Sequence, residues 1–528
     1  MSPPTFPSLL KYDYSCTDPS KRFPLHNPAT GALLTTIQAG DVHTTSRAIA
    51  TAQRALPSWR STTLAERSQI LLRCADALEA HRQELAELLT LENGKPTQDA
   101  LAFDINHLIN VFRFFAALVD KLPTPFYDRG AVYVAVVREP HGVCAGILPW
   151  NWPPIHTGGK VAPALAAGNT FILKPAEQAP LTVMRMVEIL QGVLPEGVLQ
   201  AVPGLGTEVP QALLESDVVK MVSFTGSTGG GIAAATTAAK SVKPMALELG
   251  GKNPMVVFAD ADLELAARDA VEGAFFNKGE ACTAASRLLV QEEVYDEFVA
   301  KVGAAVRRLK VGPGSDSKTH VGPLISKKQM ERVLGYIELG KKQGAKVYAE
   351  GELPTDPALK NGYWVKPTLF TEVTRDMTIQ KEEIFGPVVT ATRFKDEEEA
   401  LSIANDTTYG LVSLVYTKDM EKGMRVARKL ETGMVWFNNV STLSKASTFR
   451  TDPLQYRRNI LGIPFGGVKH SGHGREHAID TLNEWTTEKF IQWPSGRSEL
   501  GQWRAIDDVF GERTKEGMSA EPKKASKL

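Results

Sequence analysis

The chain has 528 residues, 43% hydrophobic and 23% charged, with 60 Lys+Arg against 60 Asp+Glu. Its length fits about three domains of ordinary size, each able to bury a core. Zero net charge excludes nucleic acid or an anionic membrane surface as the main partner, because both reward a positive excess.

The opening MSPPTFPSLLKYDYS has neither a charged n-region nor a long apolar run, so no secretory signal is expected. Residues 1–40, rich in Pro, Thr and Gly, read as short strands and turns. From Thr63 to Glu92 apolar residues recur at three- and four-residue steps, which predicts one amphipathic helix. A second helix is predicted over Ala100–Leu122. AVYVAVVREP, ending at Pro140, suits an exposed antiparallel strand. No window approaches about 18 uninterrupted apolar residues, so no membrane span is expected.

Between Val143 and Phe258 short apolar runs (VCAGILP, NTFILKP, LQAVPG, VKMVSFTGS, NPMVVF) alternate with helix-like segments. That order predicts a parallel sheet covered on both faces, with ligands beyond the carboxyl ends of its strands. Trp150-Asn151, Lys174-Pro175-Ala176-Glu177 and Thr225-Gly226-Ser227 mark those ends. A second α/β region runs from Ala259 to Gly474, with helices near Leu263–Phe276, Glu292–Leu309 and Lys327–Gln343 and strands in VVTATRF and LVSLVYT. Residues 480–495 read as a short helix and a returning strand. The polar end, GERTKEGMSAEPKKASKL, is expected to be disordered.

Four cysteines (Cys16, Cys74, Cys144, Cys282) are too few for a disulfide framework and fit a reducing compartment. Cys282, in FFNKGEACT, reads either as a small buried hydrophobe or as a nucleophile. Glu248 stands at a strand end before two glycines that let backbone pass close to a ligand. Asn151 lies in the rigid loop PWNWP. Thiol, carboxylate and amide together make a nucleophile, a base and an oxyanion donor.

With PWNWP, KPAE, FTGSTGGG, ELGGKNP, FFNKGEAC, EEIFGPV and PFGGVKHSGHGRE in that order, the chain from Phe23 to Trp493 resembles the NAD(P)-dependent aldehyde dehydrogenase superfamily. The resemblance implies an α/β fold with two parallel-sheet domains and a small β oligomerisation element. Residues 1–122 and 141–250 would bind NAD, 251–479 would be catalytic, 123–140 with 480–495 would bridge subunits, and 496–528 would form a tail. It implies NAD-dependent oxidation of an aldehyde. Cys282 would add to the carbonyl, and Asn151 with the Cys282 N–H would hold the oxyanion. Hydride would pass to the nicotinamide, and Glu248 would activate the water that cleaves the thioester.

By the same resemblance Lys174 and Glu177 would contact the adenosine ribose, where a carboxylate favours NAD over NADP. Gly226 and Ser227 would meet the pyrophosphate, Glu383 and Phe385 would hold the nicotinamide ribose and ring, and Trp150 would adjoin them. Lys160 reads as an active-site lysine or as an ordinary helix lysine. Trp152, Phe275, Phe276 and Trp436 read as substrate walls or as core. No metal is assigned. The partners implied are a small aldehyde and further copies of the chain, as a dimer or tetramer. The alternatives are a thioester or ester hydrolase using Cys282 and Glu248, and a non-catalytic relative blocked at residues 440–455.

Three features depart from the family pattern. Glu280 stands where relatives commonly carry Gln, and Gly229-Gly230 is expected to loosen a helix start. Val440–Gln455 is an extra segment, read as a retained in-frame intron (48 nucleotides, with donor-like and acceptor-like ends) or as a genuine lid over the substrate tunnel. The terminal Ser526-Lys527-Leu528 matches a peroxisomal address for an import receptor, which would place the enzyme in peroxisomes rather than the cytoplasm; a solubilising charged tail is the other reading.

Overall fold

A computed structural model describes residues 18, 20–440 and 461–497, together with 503, 505, 506 and 509. Cys16, the extra segment beyond Val440 and the terminal Ser526-Lys527-Leu528 lie outside the described residues. One unit comprises Met1–Leu122 and Pro140–Thr487, and a second comprises Pro123–Glu139 and Glu488–Leu528.

The large unit holds a two-stranded antiparallel sheet, Arg22–His26 with Leu33–Gln38, and two larger sheets. The first larger sheet runs, in spatial order, Gly472–His473, Met245–Glu248, Val219–Thr225, Val143–Ile147, Thr170–Lys174, Leu199–Ala201, parallel except for Gly472–His473. Val143–Ile147 and Thr170–Lys174 are buried throughout, which is why they read as unbroken apolar runs. Parallel strands put their carboxyl ends on one edge, so Asn151, Lys174, Ser227 and Glu248 follow or end strands at the same rim. The second sheet runs Lys346–Glu350, Thr368–Thr371, Val388–Phe394, Arg287–Gln291, Pro254–Val257, Val412–Tyr416, Met434–Phe437, parallel but for its first strand. NPMVVF therefore belongs to this sheet, not to the first region where its apolar run seemed continuous. Helices cover the strands, and Trp59, Phe112, Phe115, Phe171 and Trp485 fill the core of the first sheet.

Two helix boundaries differ from expectation. The stretch from Thr63 to Glu92 is two helices, Leu64–Ala80 and Arg82–Asn93, broken at His81, whose torsions leave the helical region (φ −106°, ψ 14°). No Pro or Gly marks the break, so periodicity runs through it; the His81 ring meets Glu84 at 2.7 Å and anchors the new start. The helix expected at Ala100–Leu122 begins at Thr97, passes through a π-helical turn at Ala100–Ile105 and ends at Leu118. Among the described residues, Thr97–Leu118 is the one helix long and apolar enough to cross a membrane. It packs instead on the helices Leu64–Ala80 and Pro153–Ala166, with Leu108, Phe112 and Phe115 fully buried.

In the small unit Val132–Pro140 lies between Thr486–Pro494 and Phe126–Asp128 in a three-stranded sheet. Phe126, Phe490, Ile491 and Trp493 remain exposed on it.

Candidate active site

The loop after Val143–Ile147 carries Trp150 and Asn151 into the helix Pro153–Ala166, whose first two positions are prolines pre-set for helical φ. Asn151 is buried, and one N–H of its amide donates to the Glu280 carbonyl at 3.2 Å. That leaves the second amide N–H to point at another acceptor. Asn277 ties the two loops together, its Nδ2 donating to the carbonyls of Asn151 (3.1 Å) and Glu280 (3.0 Å).

Cys282 follows a tight turn at Phe276–Gly279 in which Asn277 and Lys278 adopt left-handed φ of 50° and 64°. Such torsions cost about 1–2 kcal/mol per residue without compensation. Here Lys278 donates to the Asn93 carbonyl (2.8 Å) and side chain (2.7 Å) and pairs with Glu280 at 3.0 Å. Asn253 Nδ2 holds the Cys282 carbonyl at 2.7 Å, and Gly251 is required beneath it, since a Cβ there would lie 2.4 Å from that carbonyl oxygen. Cys74 and Cys144 are fully buried, whereas Cys282 is partly exposed. Surrounding protein and the carboxylates of Glu383 and Glu248 push the Cys282 thiol pKa up, against a smaller pull from its own N–H and that of Thr283. At neutral pH it rests as a thiol and needs a proton acceptor to react.

Glu248 ends the strand Met245–Glu248, buried, with neither carboxyl oxygen hydrogen-bonded. Gly466 makes room for it, since a Cβ there would meet Glu248 Oε1 at 2.9 Å. Burial, then the charges of Glu476 and Glu484, hold its pKa well above the usual carboxylate range, against the pull of Lys160. Lys160 is fully buried and donates to Ser223 Oγ (2.7 Å) and Glu476 Oε1 (2.6 Å), so it is no surface lysine. That pair keeps the charge on Glu476 and leaves the proton on Glu248.

Further along the same rim Lys174 meets Glu177 at 3.2 Å. Ser227 caps the helix Thr228–Ala239 by accepting from the Gly230 N–H at 3.2 Å, so Gly229-Gly230 does not unmake the helix start. Space over Gly229 is open, since a Cβ there would meet nothing within 4 Å. An open capped helix start attracts a phosphate. Glu383 accepts from the Gly251 N–H at 2.9 Å, and Gly250 admits it, since a Cβ there would lie 2.4 Å from Glu383 Oε2. Phe385, at φ 59°, sets its ring edge-on to Trp150 at 5.2 Å.

Of the expected walls, Trp152 and Phe276 do adjoin the Cys282 loop, packed with Phe103 and Ala281. Phe275 and Trp436 instead belong to the core of the second sheet, because the Leu263–Phe275 helix turns Phe275 inward. Sequence reasoning missed Glu476, although it closes the PFGGVKHSGHGRE motif. It also missed the buried partners Lys95 and Asp104, paired at 2.6 Å near Lys278 and Glu280. A lysine in ENGKP buried without any exposure offered no local signal.

The sequence matches the model of the aldehyde dehydrogenase family over residues 16–491. The chain belongs to the aldehyde dehydrogenase family. It is similar to the aldehyde dehydrogenase citD of Monascus ruber, 54% identical over 503 residues, covering 95% of this chain and 97% of that protein. It is 39% identical over 473 residues to betaine aldehyde dehydrogenase of Bacillus subtilis (strain 168), covering 88% of this chain and 92% of that one. Among solved structures, betaine aldehyde dehydrogenase of Staphylococcus aureus in complex with NAD+ superposes with a TM-score of 0.85 at 36% identity, covering 92% of this chain and 93% of that chain. This aldehyde dehydrogenase thus shares its fold with relatives across both larger sheets.

Proposed function

We propose that this member of the family oxidises an aldehyde to its carboxylic acid with NAD+: RCHO + NAD+ + H2O gives RCOO− + NADH + 2 H+. The observation that carries the reading is the meeting of a partly exposed thiol, an amide with a spare N–H and an unpaired buried carboxyl: Cys282, Asn151 and Glu248. The Cys282 sulfur, once deprotonated, bonds to the carbonyl carbon. The negative oxygen accepts from the spare Asn151 N–H and the Cys282 backbone N–H. In the second half the ionised Glu248 takes a proton from water as that water attacks the Cys282 thioester, and the thiol leaves. Lys160 and Glu476 set how readily Glu248 gives that proton up.

The residues fit a dinucleotide: an open, capped helix start at Ser227 for the pyrophosphate, Lys174 and Glu177 for a ribose, and Glu383, Phe385 and Trp150 for the nicotinamide end. When bound, NAD+ supplies the hydride acceptor. Glu177 favours NAD+ over NADP+, because its carboxylate binds a ribose diol and repels a phosphate. The exposed aromatic residues of the three-stranded sheet, Phe126, Phe490 and Trp493, support self-association through that sheet.

The test is NADH formation over a panel of aliphatic and aromatic aldehydes, with NAD+ or NADP+, for the parent and Cys282→Ala. Aldehyde-dependent NADH that requires Cys282 is the expected result. Turnover of thioesters or esters with no NADH from any aldehyde would replace this reading with a hydrolase.

A further inference from the structure

The helix Pro153–Ala166 places Trp152, His156 and Lys160 one turn apart on one buried side, leading from the Asn151 loop to the Glu476 pair. Phe103 and His107 are likewise one turn apart, with rings 6.4 Å between centroids, and Phe103 packs edge-on to Trp152 at 5.1 Å. His477, next to Glu476, meets His107 edge-on at 4.8 Å. Gly159 makes room for it, since a Cβ there would lie 2.8 Å from His477 Cε1. Three histidines therefore fill the stretch between the aromatic wall of the Cys282 loop and the Lys160–Glu476 pair.

Four of their six ring nitrogens have no partner. His107 Nε2, both nitrogens of His156 and His477 Nδ1 are buried without a hydrogen bond, and the residues are 7%, 5% and 2% exposed. Buried polar atoms are left unpaired at a cost in folding, so a cluster of four such nitrogens beside a reactive centre points to a group that arrives later. A metal ion is not that group: among the described residues, no set of three or more His, Cys, Asp or Glu could hold one. Burial keeps all three imidazoles neutral, helped by Lys160 at His156 and His477 and by neighbouring rings at His107 and His156, against the pull of Glu476 on His107 and His156; the His156 and His477 pKa values lie down at about 3 and that of His107 well below its ordinary value. A neutral imidazole offers one N–H donor and one acceptor nitrogen. A hydroxyl, itself both donor and acceptor, satisfies such a ring. A carboxylate only accepts and would also face Glu476, and an alkyl chain would leave every nitrogen unpaired.

We propose that His107, His156 and His477 select an uncharged aldehyde that carries hydroxyl groups, holding those hydroxyls while Cys282 receives the carbonyl. The inference rests on the aldehyde-oxidising reading and names the substrate class for that same site. It makes these residues specificity determinants, one step removed from the proton transfers at Glu248.

The test compares kcat/KM for hydroxy-, methyl- and methoxy-substituted benzaldehydes in the full-length enzyme. The methoxy compound matches the electronic effect of the hydroxyl, and the methyl compound matches its size. The expected result is a preference for the hydroxy compound of about tenfold for each hydrogen bond made. His107→Leu, His156→Leu and His477→Leu should each reduce that ratio, and His156→Gln, which keeps a donor and an acceptor, should restore part of it. Equal losses on all three aldehydes, or a parent enzyme without the preference, would overturn the proposal.

Calorimetric binding of the same aldehydes to Cys282→Ala, with and without the histidine substitutions, separates the two readings. No NADH from any aldehyde, with histidine-dependent binding of the hydroxy compound retained, would remove the dehydrogenase reading and uphold the pocket. Absence of that binding preference would overturn the pocket even if oxidation is confirmed.

Discussion

In one buried cluster near the Cys282 loop, Lys95 pairs with Asp104 at 2.6 Å and Lys278 with Glu280 at 3.0 Å, while Lys95 lies 3.6 Å from the centroid of the Trp152 ring. Two cations face two carboxylates, and Asn93 and the Ile325 N–H take up further bonds. In the other cluster Lys160 and Arg475 are outnumbered by Glu248, Glu476 and Glu484, and both Glu248 oxygens are unpaired. Lys160, Glu248 and Glu476 are buried as the first cluster is, so burial does not distinguish them. What differs is satisfaction. A paired network holds a loop in a single shape, whereas a carboxyl left without partners keeps its lone pairs for a water or substrate proton.

The largest effect is expected at Glu248. Glu248→Gln removes the proton acceptor of the proposed reaction and should lower kcat by about 10³-fold, roughly 4 kcal/mol, in a folded protein. Steady-state kinetics beside a thermal melt checks it; a comparable fall in stability would put Glu248 with the structural cluster instead.

The paired cluster should respond in the opposite sense. Glu280→Ala strands Lys278 in the interior at a left-handed torsion and should cost about 3 kcal/mol of stability by urea unfolding. Replacing both charges, Lys278→Met with Glu280→Gln, should recover most of it, because no unpaired charge remains. A double variant with parental stability and lost turnover would move this cluster to the reacting side.

Asn151 belongs to both patterns, with one N–H spent on the Glu280 carbonyl and one free. Asn151→Ala should therefore lower kcat by about 10²-fold, near 3 kcal/mol, with little change in KM. Its cost in stability should stay below that of Glu280→Ala.

The same contrast explains what was legible in the sequence. Cys282, Glu248 and Asn151 each sit in a short contiguous motif, and the strands that end beside Asn151, Lys174 and Ser227 announce themselves as buried apolar runs. The contacts that join these groups across the fold lie far apart in the chain: Lys160 and Glu476 are 316 residues apart, and Lys278 and Asn93 are 185. No local pattern links them, so a buried lysine reads like a surface one until the fold brings its carboxylate to it. The break at His81 escaped for a related reason, since it is marked by a torsion and a hydrogen bond with Glu84 rather than by a helix-breaking residue type.

The smallest expected effect is the pH dependence, and it is the sharpest probe of the second cluster. In the proposed reaction Glu248 must be ionised to take a proton, and burial with Glu476 and Glu484 raises its pKa well above the ordinary carboxylate value. The Cys282 thiol is raised as well. Both reactive forms therefore gain population as pH increases, and turnover should climb on the alkaline side of neutrality, by up to about tenfold per unit for each group. Glu476→Gln removes a negative neighbour from Glu248 and leaves Lys160 uncompensated, so it should move that limb to lower pH. Stability runs the other way. A carboxyl whose folded pKa lies above its unfolded value of about 4.3 holds its proton more tightly in the folded state. Its contribution is complete below the unfolded pKa and is lost as pH rises through the folded one. The pH that favours turnover should thus soften the protein, and Glu248→Gln, neutral at every pH, should melt higher than the parent at alkaline pH despite its much slower turnover. Parallel melting curves for the two proteins would mean that Glu248 ionises without cost, and that its missing partners are supplied by the fold after all.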